Sequence, residues 1–222
     1  MPVVSENVVK EYKRRGTSFT AVDDVSFTVE EGKITAIMGR SGSGKSTLLN
    51  ILSGMIKPER GQVTIDGKNI FYESVRSRDR LRAEKIGIVP QTHSLVSGLT
   101  SYENILLQKS FALEKKESSE DSFSEIVGAL DLKDLLDAYP GNLSGGEMKR
   151  VSIARALFGN LKYLFADEPT GELDKDNSKK VMELFRTEAD KGKGILIVTH
   201  DKLAADMADI VYTMENGKLR LL

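Results

Sequence analysis

One stretch of about twenty residues constrains the fold of this chain more than any other, because it joins three local patterns in a fixed order. Ile34 to Met38 is a short aliphatic run that predicts a buried strand. Gly39-Arg40-Ser41-Gly42-Ser43-Gly44-Lys45-Ser46 follows and fits G-x-x-x-x-G-K-[ST]. Lys45 to Ser53 then carries apolar residues at the spacing of a helix packed on a sheet. Strand, glycine loop and helix in this order predict an α/β fold with a phosphate-binding loop.

The chemistry of the loop follows from its residue types. Glycine permits positive φ, which turns successive backbone N–H groups toward one concavity, and the helix N-terminus adds partial positive charge there. Lys45 is predicted to reach the β- and γ-phosphates of a nucleotide, and the Ser46 hydroxyl to ligate Mg²⁺. The predicted phosphate-binding residues are Gly39, Arg40, Ser41, Gly42, Ser43, Gly44, Lys45, Ser46 and Thr47.

Two further apolar runs end in residues that suit hydrolysis. Tyr163 to Ala166 leads into Asp167 and Glu168, and Ile195 to Val198 leads into Thr199-His200-Asp201. Successive side chains of a strand point to opposite faces of the sheet, so the two neighbouring carboxylates are predicted to have different functions. We assign Asp167 to the metal and Glu168 to the base that activates water. His200 is predicted to contact the γ-phosphate or orient the water, whereas His93 stays unassigned.

The coarse pattern along the chain supports one domain over residues 1–222. The first third, including Val25 to Val29 and Gln62 to Ile65, is typical of antiparallel strands around one buried strand. Residues 91–161 are predicted to be mainly helical, with the charged stretch 114–122 as a solvated loop or helix face. The helical pattern from Ser178 to Ala189 separates two strands of a parallel sheet.

Composition excludes several classes of protein. The 32 basic and 33 acidic residues leave a net charge of -1, which gives no field for attracting nucleic acid, so no nucleic-acid partner is expected. Cysteine is absent, which excludes disulfides and thiolate metal sites. Neither Met1 to Lys10 nor the run Ile195 to Val198 has the length of a signal sequence or a membrane span. A membrane role therefore requires another chain.

The segment Leu143-Ser144-Gly145-Gly146-Glu147, placed ahead of Asp167-Glu168, resembles the signature motif of ABC ATPases. Ser144 and Glu147 have the spacing of a capping box at a helix start. The resemblance implies a P-loop NTPase with a RecA-like core and an antiparallel β subdomain (1–90 and 162–222) and a helical subdomain (91–161). It also implies ATP and Mg²⁺ as cofactors. It further implies a head-to-tail homodimer or pseudo-dimer, in which Ser144, Gly145, Gly146 and Glu147 contact the ATP of the partner subunit.

Three more residues take roles from the same resemblance, which covers essentially the whole chain. Tyr12 looks like the aromatic that stacks on adenine, and Gln91 like the glutamine that contacts Mg²⁺ and water. Asp174 looks like the aspartate of the loop at the dimer interface. The predicted catalytic residues are thus Glu168, His200, Gln91 and Lys45, and the metal ligands Ser46, Gln91 and Asp167. The chain departs from the family pattern at Glu147 and Glu172.

The region from Leu99 to Asn104 and the sequence Ala166 to Gly171 look like those of the MacB and lipoprotein-releasing group. This implies an ATPase at the cytoplasmic face of a membrane that powers an integral permease, with a periplasmic or extracellular adaptor as an optional component. The implied substrates are peptides, lipoproteins or antibiotics. His93, Leu95, Val96, Leu99 and Tyr102 are candidates for the permease-binding groove. The alternative is an ATPase similar to that of the cell-division ABC system, which transmits a conformational change without transport.

Overall fold

The structure is a computed structural model of the 222-residue chain, and it describes residues 2–14, 16–92, 94–111, 120–159 and 161–222. For residues 14 and 109–111 it describes only the backbone. Two of the sequence-based predictions concern His93 and residues 114–119 of the charged stretch. These residues lie outside the described part of the chain.

Strands predominate in the first third of the described chain, and helices and strands are mixed after it. The strands are β1 (Val3–Arg14), β2 (Thr17–Val29), β3 (Ile34–Met38), β4 (Arg60–Ile65), β5 (Lys68–Asn69), β6 (Ile86–Val89), β7 (Tyr163–Asp167), β8 (Gly194–Thr199), β9 (Ile210–Glu215) and β10 (Lys218–Leu221). The helices are α1 (Lys45–Leu52), α2 (Val75–Lys85), α3 (Ser101–Phe111), α4 (Glu120–Ala129), α5 (Gly145–Phe158), α6 (Lys175–Asp190) and α7 (Lys202–Asp206). Two short 3₁₀ helices cover Lys133–Leu135 and Pro140–Asn142.

The strands form two sheets. One has the order β2-β1-β4-β5 and is antiparallel throughout. The other has the order β10-β9-β3-β8-β7-β6, in which β9, β3, β8, β7 and β6 run parallel and β10 is antiparallel to β9. The parallel arrangement places the carboxyl ends of β3, β8 and β7 at one edge, where open α/β sheets bind ligands.

The larger sheet separates two hydrophobic cores. Side chains alternate along β7, so Leu164 and Ala166 pack with α5 and α6, whereas Tyr163 and Phe165 pack with α1 and the antiparallel sheet. Each of these residues is fully buried. Burial on both faces explains why the parallel strands are continuous apolar runs in the sequence.

The structure confirms the predicted α/β class and most of the predicted elements. The predicted antiparallel first third, the strand at Ile34 to Met38 and the helix after the glycine loop are all present. The first strand, β1, was not predicted. Register shifts between Ser5 and Glu11 interrupt its pairing with β2, so its apolar residues do not alternate regularly along the sequence. The predicted boundaries of a helical subdomain at residues 91 and 161 stay a prediction, since helices α3 to α5 share one core with β7 and β8.

Among the described residues, none of the helices combines the length and the apolar character that crossing a bilayer requires.

Candidate active site

A cavity of about 700 Å³ lies at the carboxyl ends of β3, β7 and β8. It brings together Tyr12, most of the glycine loop, Gln91, Asp167, Glu168 and His200, which the sequence places far apart. Its full lining is Tyr12, Phe19, Ala21, Arg40, Ser41, Gly42, Gly44, Lys45, Ser46, Thr47, Gln91, Lys149, Asp167, Glu168, Gly171, Glu172 and His200.

The loop between β3 and α1 depends on glycine at two positions. Gly44 has φ 109°, and a Cβ atom there would overlap the carbonyl oxygen of Ala21. At Gly39 a Cβ atom would lie 2.5 Å from the carbonyl oxygen of Met214 and 2.7 Å from the Oγ of Ser43. Gly39 and Ser43 do not line the cavity; they allow the loop to pack closely on the strands beneath it.

Lys45 begins helix α1 and is buried, with 7% of its surface exposed. Its Nζ donates to the carbonyl oxygens of Gly39 at 2.8 Å and Arg40 at 3.1 Å. Gly44, which precedes it, caps α1 without a side-chain hydrogen bond. The N-terminus of α1 therefore presents its dipole and an ammonium group to the cavity, an arrangement that suits an anion.

Asp167, the last residue of β7, is 6% exposed, and its Oδ1 atom has no hydrogen-bond partner among the described residues. Burial raises the pKa of its carboxyl group, and the charge of Glu168 acts in the same direction; a hydrogen bond from Ser46 and the charge of Lys45 oppose the rise. A buried carboxylate oxygen without a partner, beside a serine hydroxyl, is a donor set that fits Mg²⁺.

Glu168 lies just beyond β7 with φ 48°, in the left-handed region. The predicted reason for its separate role was strand alternation, and this reason is wrong, because Glu168 has left the strand. Its Oε2 accepts a hydrogen bond from the Thr199 Oγ1 at 2.8 Å, and its Oε1 lies 2.9 Å from the Nδ1 of His200. The carboxylate thus lies between the ends of β7 and β8, while 74% of the His200 side chain is exposed.

Two aromatic rings form the far end of the cavity. Tyr12 on β1 pairs with Phe19 on β2, and their ring centroids are 5.7 Å apart with a tilt of 31°. Phe19 is 49% exposed. Such a surface suits a flat ligand ring. The sequence predicted only Tyr12, and Phe19 was missed because its place opposite Tyr12 depends on the β1–β2 register.

The signature residues lie outside this cavity. The predicted capping box at the start of α5 is confirmed: Ser144 Oγ accepts from the backbone N of Glu147 at 3.3 Å, and Glu147 Oε2 accepts from the backbone N of Ser144 at 2.7 Å. Neither these residues nor Gly145, Gly146 and Asp174 line the cavity. The Asp174 side chain caps α6 by accepting from the backbone N of Asn177 at 2.8 Å.

Six residues of the site were not predicted from the sequence as site residues. Five line the cavity, namely Phe19, Ala21, Lys149, Gly171 and Glu172, and the sixth, Thr199, contacts Glu168. Thr199 ends a buried strand and directly precedes His200, and this position in the sequence could have identified it as a site residue. No local pattern marked Lys149, which reaches the cavity from helix α5.

The ABC transporter family profile matches residues 22–171 of this chain. The chain is 37% identical to the lipoprotein-releasing system ATP-binding protein LolD of Francisella tularensis, over 98% of this chain and 95% of that protein. It is 35% identical to the macrolide export ATP-binding/permease protein MacB of Bartonella henselae, over 98% of this chain but only 33% of that longer protein.

Solved structures show the same architecture. The dimeric MJ0796 cassette, described as a bacterial ABC transporter cassette, aligns with a TM-score of 0.89 at 33% identity and covers 99% of this chain and 98% of that one. The same cassette in a post-hydrolysis state with ADP and Pi aligns with a TM-score of 0.90 at 34% identity. These alignments confirm the predicted P-loop NTPase fold.

Proposed function

This chain belongs to the ABC transporter family, and we propose that it is the ATP-hydrolysing subunit of a transporter whose membrane-spanning permease is a separate chain. The observation that carries the proposal is the convergence of Lys45, Asp167, Glu168 and His200 on one cavity. The family and the cassette solved with ADP and Pi support ATP hydrolysis as the reaction.

Each region of the cavity suits one part of ATP. The Tyr12 and Phe19 rings are proposed to hold the adenine. The backbone of residues 40–42 and 44–47, together with the Lys45 side chain, is proposed to hold the phosphates. Binding of the γ-phosphate would draw the Lys45 Nζ away from the carbonyl oxygens that it now contacts. A charge-assisted bond to phosphate is stronger than one to a neutral carbonyl, so this exchange favours the bound state.

Glu168 is proposed to accept a proton from the attacking water. Thr199 holds one of its carboxylate oxygens, and His200 lies within hydrogen-bond distance of the other. Release of His200 toward the γ-phosphate would free Oε1 for the water, and the exposure of the histidine side chain leaves room for that rotation. The protein thus supplies orientation and charge rather than a covalent intermediate.

Ser46 and Asp167 are proposed to hold Mg²⁺, with Gln91, which lines the same cavity, as a third contact. The residues suit a magnesium ion because the buried Asp167 Oδ1 atom has no hydrogen-bond partner among the described residues. Bound Mg²⁺ neutralises charge on the β- and γ-phosphates. The three side chains come from α1, β7 and the loop after β6, so the metal would connect three separate elements.

A second subunit is proposed to complete the site. Ser144, Gly145, Gly146, Glu147 and Asp174 lie outside the cavity of their own chain, although a capped helix N-terminus flanked by glycine suits a phosphate. Head-to-tail pairing would apply this helix end to the nucleotide of the partner subunit. The dimeric state of the MJ0796 cassette supports the arrangement.

The permease is proposed to bind the segment from Leu95 to Tyr102. Val96 and Tyr102 are each 44% exposed. The buried side chain of Asn104 shapes this segment by donating to the carbonyl oxygens of Val96 at 3.1 Å and Leu99 at 3.1 Å. An apolar surface on a rigid loop suits an amphipathic helix. The subunit would thereby sit at the cytoplasmic face of the membrane.

We propose export or extraction of a peptide, lipoprotein or antibiotic-like molecule as the transport process. The names of the relatives, a lipoprotein-releasing ATPase and a macrolide exporter, support this class. They do not favour the alternative of conformational signalling without transport, as in the cell-division system. An adaptor beyond the membrane is an optional third component of the proposed assembly.

Concentration dependence of hydrolysis tests this proposal. If two subunits form each site, ATPase activity per subunit should rise with protein concentration and level off, whereas ATP binding per subunit should not change. Copurification with a membrane permease, and its loss in Val96→Asp, tests the partner. Absence of Mg²⁺-dependent ATP hydrolysis at every concentration would overturn the proposed function.

A further inference from the structure

Lys149 is a buried cation in the cavity wall that the proposed hydrolysis does not use. It lies in helix α5, five residues after Ser144, and only 2% of its surface is exposed. Its Nζ donates to the carbonyl oxygens of Pro90 at 3.0 Å and Gln91 at 2.9 Å. A buried ammonium group requires such acceptors in place of water. These two bonds attach α5 to the start of the loop that follows β6.

The same helix holds this loop at a second point. Arg155 donates to the carbonyl oxygen of Ser94 at 2.9 Å and to the Ser94 Oγ at 2.5 Å. Lys149 and Arg155 lie six positions apart on α5, and their acceptors lie three to four positions apart on the loop. The first five residues of the loop are therefore held at two points by side chains from one helix, and a shift of α5 would carry Gln91 with it.

The surroundings of Lys149 are acidic. Burial lowers the pKa of Lys149, and the carboxylates of Glu172, Asp167 and Glu168 oppose that effect. All three carboxylates line the nucleotide cavity. These carboxylates make the position compatible with a charged lysine. The direct hydrogen-bond acceptors of the ammonium group are the uncharged carbonyl oxygens of the loop.

We propose that Lys149 is a positioning residue, which holds the Pro90–Gln91 backbone against α5 and so sets where the Gln91 side chain enters the cavity. This inference rests on the proposed function. Because Ser144 caps the same helix, Lys149 connects the metal contact in its own subunit to the helix end that faces the partner subunit. The phosphate contacts of Lys45 do not depend on it, so its loss should slow turnover without weakening ATP binding.

Two substitutions separate the hydrogen bonds from the charge. Lys149→Met removes both at similar volume, whereas Lys149→Gln keeps an amide donor on a slightly shorter side chain. We expect kcat to fall about 10-fold in the Met variant, with the Kd for ATP changed less than about 2-fold. The Gln variant should recover most of the lost kcat. A Gln variant as slow as the Met variant would show that anchoring is not the role.

A double-mutant cycle with Gln91→Ala tests whether Lys149 acts through Gln91. If it does, adding Lys149→Met to Gln91→Ala should change kcat less than about 2-fold, because the positioned side chain is already absent. Additive losses in the double variant would overturn the proposal. This readout does not move with a general loss of stability.

Lys193→Met is a matched control for removing a buried lysine. Lys193 is 6% exposed and donates to the carbonyl oxygen of Leu161 at 2.6 Å, and it does not line the cavity. The Lys193→Met substitution should lower the thermal unfolding temperature and leave kcat near the wild-type value. If wild-type protein hydrolyses ATP and Lys149→Met has the same kcat, only this inference fails; if the wild type does not hydrolyse ATP, the proposed function itself fails.

Discussion

The Nδ1 atom of His200 lies 2.9 Å from the Oε1 atom of Glu168, across the ends of two adjacent parallel strands. The Oγ1 of Thr199 donates to the other oxygen of the same carboxylate at 2.8 Å. Both oxygens of the proposed base therefore have partners from the end of β8. One partner is a buried strand residue, and the other is an exposed histidine. Thr199 would orient the carboxylate, while His200 would control access to it.

Glu168→Gln should keep ATP binding and lower turnover by about 100-fold or more, because an amide cannot take a proton from water. The change preserves the shape and an acceptor for Thr199. Single-turnover hydrolysis and a nucleotide-binding titration measure the two effects separately. We also expect the variant to accumulate a dimer with ATP enclosed. Hydrolysis at the wild-type rate would rule out Glu168 as the base.

Thr199→Val should reduce kcat about 10-fold while leaving the Kd for ATP nearly unchanged, because it removes the hydrogen bond to the Glu168 carboxylate at constant volume. It also removes the hydrogen bond that Thr199 Oγ1 accepts from the backbone N of Asp201 at 3.0 Å. Steady-state kinetics would measure the change in kcat, and a direct binding measurement would measure the Kd for ATP. Thr187→Val on α6 is the control, since its hydroxyl donates to the Glu183 carbonyl outside the cavity. Equal kcat in wild type and Thr199→Val would contradict the orienting role.

Lys45→Ala should weaken ATP binding about 10- to 100-fold, since charge-assisted hydrogen bonds to phosphate contribute about 1.5–3 kcal/mol. Fluorescence titration with a labelled nucleotide gives the Kd directly. Lys33→Ala removes a lysine that pairs with Glu30 on the surface and should leave the Kd unchanged. An unaltered Kd in Lys45→Ala would exclude the proposed phosphate contact.

Ser144→Arg should abolish hydrolysis and ATP-dependent dimerisation but leave ATP binding by the monomer intact, because Ser144 lies outside the cavity of its own chain. Size-exclusion chromatography of the variant in a Glu168→Gln background, with and without ATP, measures dimer formation. Loss of monomer binding would place Ser144 in the site of its own subunit and overturn the head-to-tail proposal.

The Asp66–Lys162 ion pair connects the β4–β5 turn to the start of β7, with 2.6 Å between Oδ1 and Nζ. Burial alone would raise the pKa of Asp66, but hydrogen bonds from Lys162 and Lys85 lower it below its ordinary value of 3.8. Because the folded pKa is the lower one, the pair stabilises the fold at pH above 3.8, and this contribution is lost as the pH falls through the folded pKa.

Asp66→Asn should therefore lower the free energy of unfolding by about 1 kcal/mol at pH 7 and by progressively less as the pH falls below 4. Urea unfolding over a pH series measures the difference. Asp24→Asn is the matched control, since Asp24 has φ 54° and Asp66 has φ 52°, and asparagine tolerates both. A difference between Asp66→Asn and wild type that does not change with pH would argue against the ion pair.

Features of this protein that depend on a few consecutive residues could be predicted from the amino-acid sequence. The glycine loop, the two strands that end in carboxylates and histidine, and the Ser144–Glu147 capping box were all predicted at the right positions. Their structure follows from positive φ at glycine, apolar continuity and local hydrogen bonds, which act over one or two turns of chain.

The tertiary fold determined further contacts of the site that no local pattern marked. The order of the parallel strands puts β8 between β3 and β7, which brings Thr199 to Glu168; the antiparallel register sets Phe19 beside Tyr12; and helix packing carries Lys149 to the Gln91 loop. Strand order, register and helix packing depend on the burial of the two cores across distant segments, so local sequence patterns could not determine them.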